Sequence, residues 1–245
     1  MIRLFVFPPL MNGTPNPGPF CIKLETALRL AGVAYETRHA RTPSEGPKGK
    51  IPFVEIDGER IGDSTLILKR LKDEHGLDLD QRLSPRERAQ SHALQRMIEE
   101  RLYHVLVYSR WIEPDNWTKL RHIFFDAMPM PLRLLVPGKI RKEREKALHA
   151  HGMGRHKREE IYALGAADLA AVSTVLGDKP FLFGEHPTLA DATAFAFLIS
   201  IIGPDFESPL KDSAVGHANL VSYTERMGEI FARAGRAHLL LSAAD

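Results

Sequence analysis

Apolar and polar positions alternate in type over the first 76 residues. Ile2-Arg3-Leu4-Phe5-Val6-Phe7 has the two-residue period of a strand and stops at Pro8-Pro9. Pro15 to Pro19 is turn-rich. From Phe20 to Ala31 the period lengthens to that of a helix, with Leu24, Leu28 and Ala31 on one face and Lys23, Glu25 and Arg29 expected outside. Gly32 is placed to end it, and Val33 to His39 predicts a second strand. Pro52 to Ile56 and Arg60 to Gly62 flank Asp57-Gly58, a hairpin dipeptide. Asp63-Ser64-Thr65 then caps a helix carrying Leu66, Ile67, Leu68 and Leu71, closed at His75-Gly76.

Residues 77–84 are polar and turn-like, and beyond them the periodicity is helical almost throughout. Pro85 to Trp111 predicts one long helix, charged early and apolar later. Pro129, Pro131 and Pro137 are expected to break or kink the chain after it. A helix is predicted from Lys157 to Leu176, then a short buried connector at Phe181-Leu182-Phe183-Gly184. Thr188 and Asp191 have the spacing of a capping box before the apolar helix Ala192 to Ile202, and Leu220 to Ala234 is amphipathic. The expected division is an α/β domain at 1–76, a linker at 77–84 and an all-α domain at 85–245. The strand and helix order of the first part matches a thioredoxin-like α/β fold.

At 245 residues, 44% hydrophobic and 26% charged, the chain has the make-up of a soluble globular protein. A net charge of +2 gives no argument for nucleic acid. The single cysteine excludes an internal disulfide and fits a reducing compartment. No signal peptide is read, and the longest apolar stretch, Ala192 to Gly203, falls short of a membrane span. The expected location is the cytoplasm, with no membrane anchor. The basic run from Lys139 to Arg158 is interleaved with Glu143, Glu145, Glu159 and Glu160, so a solvated helix is expected there. His149 and His151 fall on different helical faces, so no metal site is expected.

Three segments carry candidate chemistry. Cys21 stands just inside a helix start, where unpaired N–H groups favour a thiolate of the protein or of a bound thiol; a lone cysteine also suits a small buried core position. Ile51-Pro52 precedes a strand, and proline lowers the trans preference to about 0.5–1 kcal/mol. A cis bond there would turn Ile51 toward an extended, peptide-like ligand. Asp63 and Ser64 open a helix, where they either cap it or receive a carboxylate and an ammonium, the pair of charges a γ-glutamyl group offers.

Together with the Thr188–Asp191 box, these segments resemble the cytosolic glutathione transferase superfamily over essentially the whole chain. Pro19 to Thr26, Arg96 to Tyr103, Tyr108-Ser109-Arg110-Trp111 and Gly154-Arg155-His156 resemble its failed-axon-connections and metaxin-like branch. No terminal anchor is read that would carry over the metaxins' membrane association. The resemblance implies a glutathione transferase fold, usually a homodimer, with glutathione as co-substrate and a small electrophile as the second. Ile51 would bond the cysteinyl backbone of glutathione, Pro52 would be the cis proline, and Asp63 and Ser64 would hold the γ-glutamyl end. The activating position of many relatives falls on Asn16, Pro17 and Gly18, none bearing a hydroxyl or thiol. The thiol is therefore expected to be activated by Asn16, by a backbone N–H near Gly18 to Phe20, or by Cys21 as a donor. Tyr103, Tyr108 and Trp111, with Trp117 beyond, are expected to line a second-substrate pocket, against core packing as the alternative. Two other functions remain open: a non-catalytic glutathione-binding or protein-interaction module, and a thiol–disulfide reductase using Cys21 through a mixed disulfide.

Overall fold

A computed structural model describes residues 1–40 and 42–242, with side chains described as far as residue 235. The sheet order is β2-β1-β3-β4, from β1 (Ile2–Val6), β2 (Tyr35–His39), β3 (Phe53–Ile56) and β4 (Glu59–Gly62). β1 runs parallel to β2 and antiparallel to β3, and β3 and β4 form the hairpin. Asp57 and Gly58 both have positive φ (51° and 86°), which the two-residue turn between twisted strands requires. Leu4, Val54 and Ile56 face the core, while Arg3 and Glu55 pair at 2.7 Å on the other side.

Helix α1 (Pro19–Leu30) connects β1 to the parallel β2, and α2 (Ser64–His75) follows β4. The amphipathic pattern expected of α1 is incomplete, because nine of its twelve residues are buried. Lys23 and Glu25, expected outside, are 0% and 8% exposed. The reason is that α1 has two partners. Leu24 and Leu28 pack in the sheet-side core, whereas Ile22 belongs to the core of the helical half. Glu25 is held by Arg29 at 2.6 Å and by the Tyr35 hydroxyl at 3.0 Å. Arg29 reaches across to the Phe231 carbonyl at 2.7 Å and lies 3.8 Å over its ring.

The expected long helix is built as α3 (Pro85–Arg96), a π-helical turn (Met97–Leu102) and α4 (Tyr103–Trp111), without a break between them. After α5 (Pro114–Phe125) the chain turns at Asp126–Pro131, where Met130–Pro131 is cis. Of the break or kink expected at Pro137, the break is absent. Pro137 is buried inside α6 (Leu132–His151). The order continues with α7 (Arg158–Leu176), α8 (Leu189–Ile202), α9 (Pro209–Gly216) and α10 (Ala218–Ser242). α8 is the central helix, with eleven of its fourteen residues buried. Its start is fixed by Asp191, which accepts from the Thr188 N–H (2.8 Å) and hydroxyl (2.7 Å), the Leu182 N–H (2.9 Å) and the Tyr223 hydroxyl (2.9 Å). Burial raises the Asp191 carboxyl above its ordinary range against the pull of those bonds.

Candidate functional site

Phe5, Phe53 and Gly62 form one row across the sheet, so the chain leaving β1, the chain entering β3 and the chain leaving β4 meet at one end. That end collects the head of α1, Ile51-Pro52 and the head of α2.

The loop before α1 is held by Asn16. Its Nδ2 donates to the Phe7 carbonyl (2.7 Å), and its Oδ1 accepts from the Gly18 N–H (3.0 Å). Asn16 is 3% exposed with both ends of its amide engaged, so it shapes the loop and offers nothing to a ligand thiol. Gly13 packs so closely on Gly203 that a Cβ would lie 2.0 Å from the Gly203 carbonyl oxygen, which presses the loop against the end of α8.

Gly18 caps α1 with extended backbone, and Pro19 occupies the first helical position without an N–H. The Cys21 and Ile22 N–H groups donate to the Gly18 carbonyl at 3.0 and 3.2 Å. The Phe20 N–H makes no hydrogen bond among the described residues and is the open donor of this terminus. Cys21 points inward instead. It has no exposed surface, and burial pushes its thiol up to about 12, with a backbone bond from Phe7 opposing. A neutral, enclosed thiol is not a nucleophile, so the reactive-cysteine expectation gives way to the core reading.

Ile51–Pro52 is cis, and Ile51 makes no main-chain hydrogen bond among the described residues. Asp63 takes a positive φ of 83° and caps α2, its Oδ1 accepting from the Thr65 (2.9 Å) and Leu66 (3.2 Å) N–H groups. Capping therefore falls to Asp63. Ser64 is the first helical residue, and neither its N–H nor its hydroxyl has a partner among the described residues. Between the two helix heads lies a buried ionic cluster. Lys23 Nζ stands 2.5 Å from Glu99 Oε1, Arg96 bonds the other Glu99 oxygen, and Thr193 Oγ1 lies 3.5 Å away. Burial lowers the Lys23 pKa, while Glu99 and the more remote Asp63 pull it back up.

The three aromatics expected at a pocket go to different places. Tyr103 packs edge-on against Phe20 at 5.1 Å and Phe197 at 6.2 Å, so it adjoins the head of α1. Tyr108 turns to Tyr162 at 5.9 Å, and Trp111 joins a separate cluster with Trp117 (5.8 Å) and Phe124 (6.3 Å). The three do not form one wall. Arg110, for which no role was read, shares a face with Tyr103 two turns away. It is 5% exposed, and its guanidinium donates to the Pro17 carbonyl (3.0 Å) and the Ser200 carbonyl (2.5 Å), with Nε unpartnered. Burial lowers its pKa to about 10. No carboxylate neutralises it within 4 Å among the described residues, so a positive charge stands behind the loop that opens α1. The seven-residue spacing from Tyr103 to Arg110 was the available signal. A cleft of about 580 Å³ between α3 and α7, lined by Leu94, Met97, Lys179 and Phe183, shares no residue with this site.

A thioredoxin-like sheet with open donors at its ligand end, joined to a helical half around a capped central helix, defines a protein of the glutathione transferase class. Family models described as the glutathione S-transferase N-terminal and C-terminal domains match residues 19–116 and 165–227. The chain is 31% identical over 237 residues to the isoprene-epoxide–glutathione S-transferase of Rhodococcus sp. (strain AD45), covering 93% of this chain and 98% of that one. It belongs to the glutathione S-transferase family. It is also 35% identical over 225 residues to Failed axon connections of Drosophila melanogaster, covering 87% of this chain and 54% of that protein's length. Metaxin-1 of Mus musculus is 28% identical over 222 residues, 86% of this chain and 69% of that one. Among solved structures, a glutathione S-transferase of Methylobacterium radiotolerans in complex with glutathione sulfonate has a TM-score of 0.58 at 17% identity. That likeness covers 95% and 93% of the two chains. No described helix is long and apolar enough to cross a membrane.

Proposed function

We propose that the chain binds glutathione and joins its sulfur to a small electrophile. The observation that carries this reading is the row of unpartnered donors at one sheet end: the Ser64 N–H and hydroxyl, the Ile51 main chain and the Phe20 N–H. Their order matches an extended γ-glutamyl tripeptide, with its carboxylate at the head of α2, its cysteinyl backbone along Ile51 and its sulfur at the head of α1. Asp63 keeps its second carboxylate oxygen for the ligand ammonium.

The thiolate is the ligand's own. The Phe20 N–H, the α1 dipole and the Arg110 charge favour it together, and lowering a thiol pKa by one unit takes only about 1.4 kcal/mol. The thiol gives its proton to solvent, and the thiolate attacks an electrophilic carbon; an epoxide C–O bond breaks to leave an alkoxide on the adjacent carbon that takes a proton from solvent, whereas an aryl halide releases the halide anion with the electron pair. An epoxide is the substrate class suggested by the name of the Rhodococcus relative. Glutathione is thereby assigned to residues 1–76 and the electrophile to the helical part beyond the 77–84 joint, with Tyr103 nearest the sulfur. A cytoplasmic homodimer belongs to the same proposal. The rival is a module that binds glutathione or a protein without turnover. It draws support from the lack of any free hydroxyl at the head of α1.

The test is calorimetric titration with glutathione, then turnover with an epoxide and an aryl halide, on the wild type, Ser64→Ala and Cys21→Ala. The expected result is binding weakened about tenfold in Ser64→Ala, the loss of one charge-assisted hydrogen bond or more, with turnover retained in Cys21→Ala. Binding without turnover on either electrophile would favour the module. Unchanged binding in Ser64→Ala would remove the proposed γ-glutamyl site.

A further inference from the structure

Beyond that reading, the tip of the α5–α6 hairpin has a chemistry of its own. Four of the nine exposed large hydrophobics among the described residues fall within six positions: Met130 (64%), Leu132 (50%), Leu134 (61%) and Leu135 (69%). The other five are scattered, as single exposed apolar residues normally are. No acidic residue occurs in the sixteen positions between Asp126 and Glu143, while Arg133, Lys139, Arg141 and Lys142 do.

Arg141 anchors α6 to the helical half, and before it Pro137 is already buried and Val136 and Ile140 half-buried. Arg141 donates to the Trp111 and Ile112 carbonyls at 3.0 and 2.8 Å, and Arg144 lies 5.5 Å over the Trp111 ring. Those contacts are at the very end of α4. Along the first part of α6, Leu132, Leu135, Lys139 and Lys142 succeed one another at intervals of three, four and three, which puts them on one exposed face. Arg133, Lys139 and Lys142 are exposed and make no ion pair within 4 Å among the described residues. Asp126, bonded to His122, also attracts Arg133, and Glu143 directly follows Lys142 without forming an ion pair with it within 4 Å.

We propose that this tip docks on the surface of an anionic phospholipid bilayer. Leu132, Leu134, Leu135 and Met130 enter the acyl boundary, and Arg133, Lys139 and Lys142 sit among the headgroup phosphates. An apolar tip with a cationic collar complements that surface in both respects, in shape and in charge. A second copy fits less well, because pairing two tips brings the collars together, like charge on like. Nucleic acid would leave the leucines without a partner.

The test is co-sedimentation of the full chain with phosphatidylcholine vesicles, with and without about 30% phosphatidylserine. The variants are Leu134→Asp/Leu135→Asp and Lys139→Glu/Lys142→Glu, all at exposed positions, with thermal midpoints measured to confirm an intact fold. The wild type is expected on the anionic vesicles and not on the neutral ones. The leucine variant should lose at least about tenfold in partitioning, and the lysine variant several-fold with a flattened salt dependence. Three results would each overturn the proposal. One is no wild-type binding to anionic vesicles, another is equal binding to both vesicle types, and the third is a lipid-free dimer that the leucine variant dissolves.

Discussion

Replacing Glu99 by Gln should cost more stability than replacing its partner Lys23 by Met, and the cost should depend on pH. The two side chains are 5% and 0% exposed, 2.5 Å apart, and join α1 to the π-helical turn after α3. Taking one member from a buried pair typically costs about 3–5 kcal/mol, because the other charge is left without compensation. The pair is not symmetric. In Lys23→Met, Glu99 keeps Arg96 and Thr193, so a cost of about 1–2 kcal/mol is expected. In Glu99→Gln, Lys23 loses its only anionic contact, and about 3 kcal/mol or more is expected.

Burial already lowers the Lys23 pKa in the wild type, and Glu99 opposes that shift. Without Glu99 the folded pKa falls further. Between that value and the unfolded value of about 10.4, the unfolded chain binds the extra proton, so stability rises with pH, by at most about 1.4 kcal/mol per unit. Urea unfolding followed by far-ultraviolet circular dichroism at about pH 7 and about pH 9 reads both effects. Glu99→Gln should recover part of its loss at the higher pH, and Lys23→Met should not. Equal costs for the two variants, or a Glu99→Gln loss that is flat in pH, would mean that the ammonium is hydrated and that burial does not govern its charge.

Asp191→Ala removes the acceptor of four buried donors and should cost at least about 4 kcal/mol, seen as loss of soluble folded protein or a collapsed urea midpoint. A cost under about 1 kcal/mol would contradict that hydrogen-bond set. Arg110→Gln keeps donors for the Pro17 and Ser200 carbonyls but removes the charge. It should raise the thiol pKa of bound glutathione by about one unit, read from thiolate absorbance against pH, with less effect on affinity. An unmoved thiol pKa beside intact binding would reduce Arg110 to a loop clamp. Native Cys21 should react with iodoacetamide at about pH 8 at least about a thousandfold more slowly than the unfolded chain, since it has no exposed surface. Rapid labelling of the folded protein would refute its burial.

Local periodicity made the elements legible where each faces one core. The Asp57-Gly58 hairpin, the Asp63 cap and the Thr188–Asp191 box depend on neighbours a few residues away, and all three stand in the structure. The features that the pattern hid depend on distant partners. Lys23 and Glu25 read as a solvent face because Glu99 and Tyr35 become their partners only once the chain folds back, whereas the Glu25–Arg29 pair is local to the helix. Pro137 reads as a breaker, yet its place inside α6 shows that a helix can carry a proline where its flanks are otherwise supported. The cis Ile51–Pro52 bond and the Asp63 cap, with Ser64 as the first helical residue behind it, were legible from turn and cap chemistry. Cys21 was ambiguous because burial, which decides between thiol and thiolate, is not a local property. Helical spacing left open whether the aromatics share a wall or pack in the core, and α4 directs Tyr103, Tyr108 and Trp111 to three different neighbourhoods that depend on the packing of other helices.

Helix α1 belongs to two cores at once, with Leu24 and Leu28 in one and Ile22 in the other, while Lys23 and Arg29 tie it to both flanks of the helical half. A hinge needs a plane of weakness, and here that plane is bridged by a buried helix. Opening the two halves as rigid bodies would have to break the packing of α1 on one side or the other. Swapping either half into a relative would therefore sever a shared core rather than a linker.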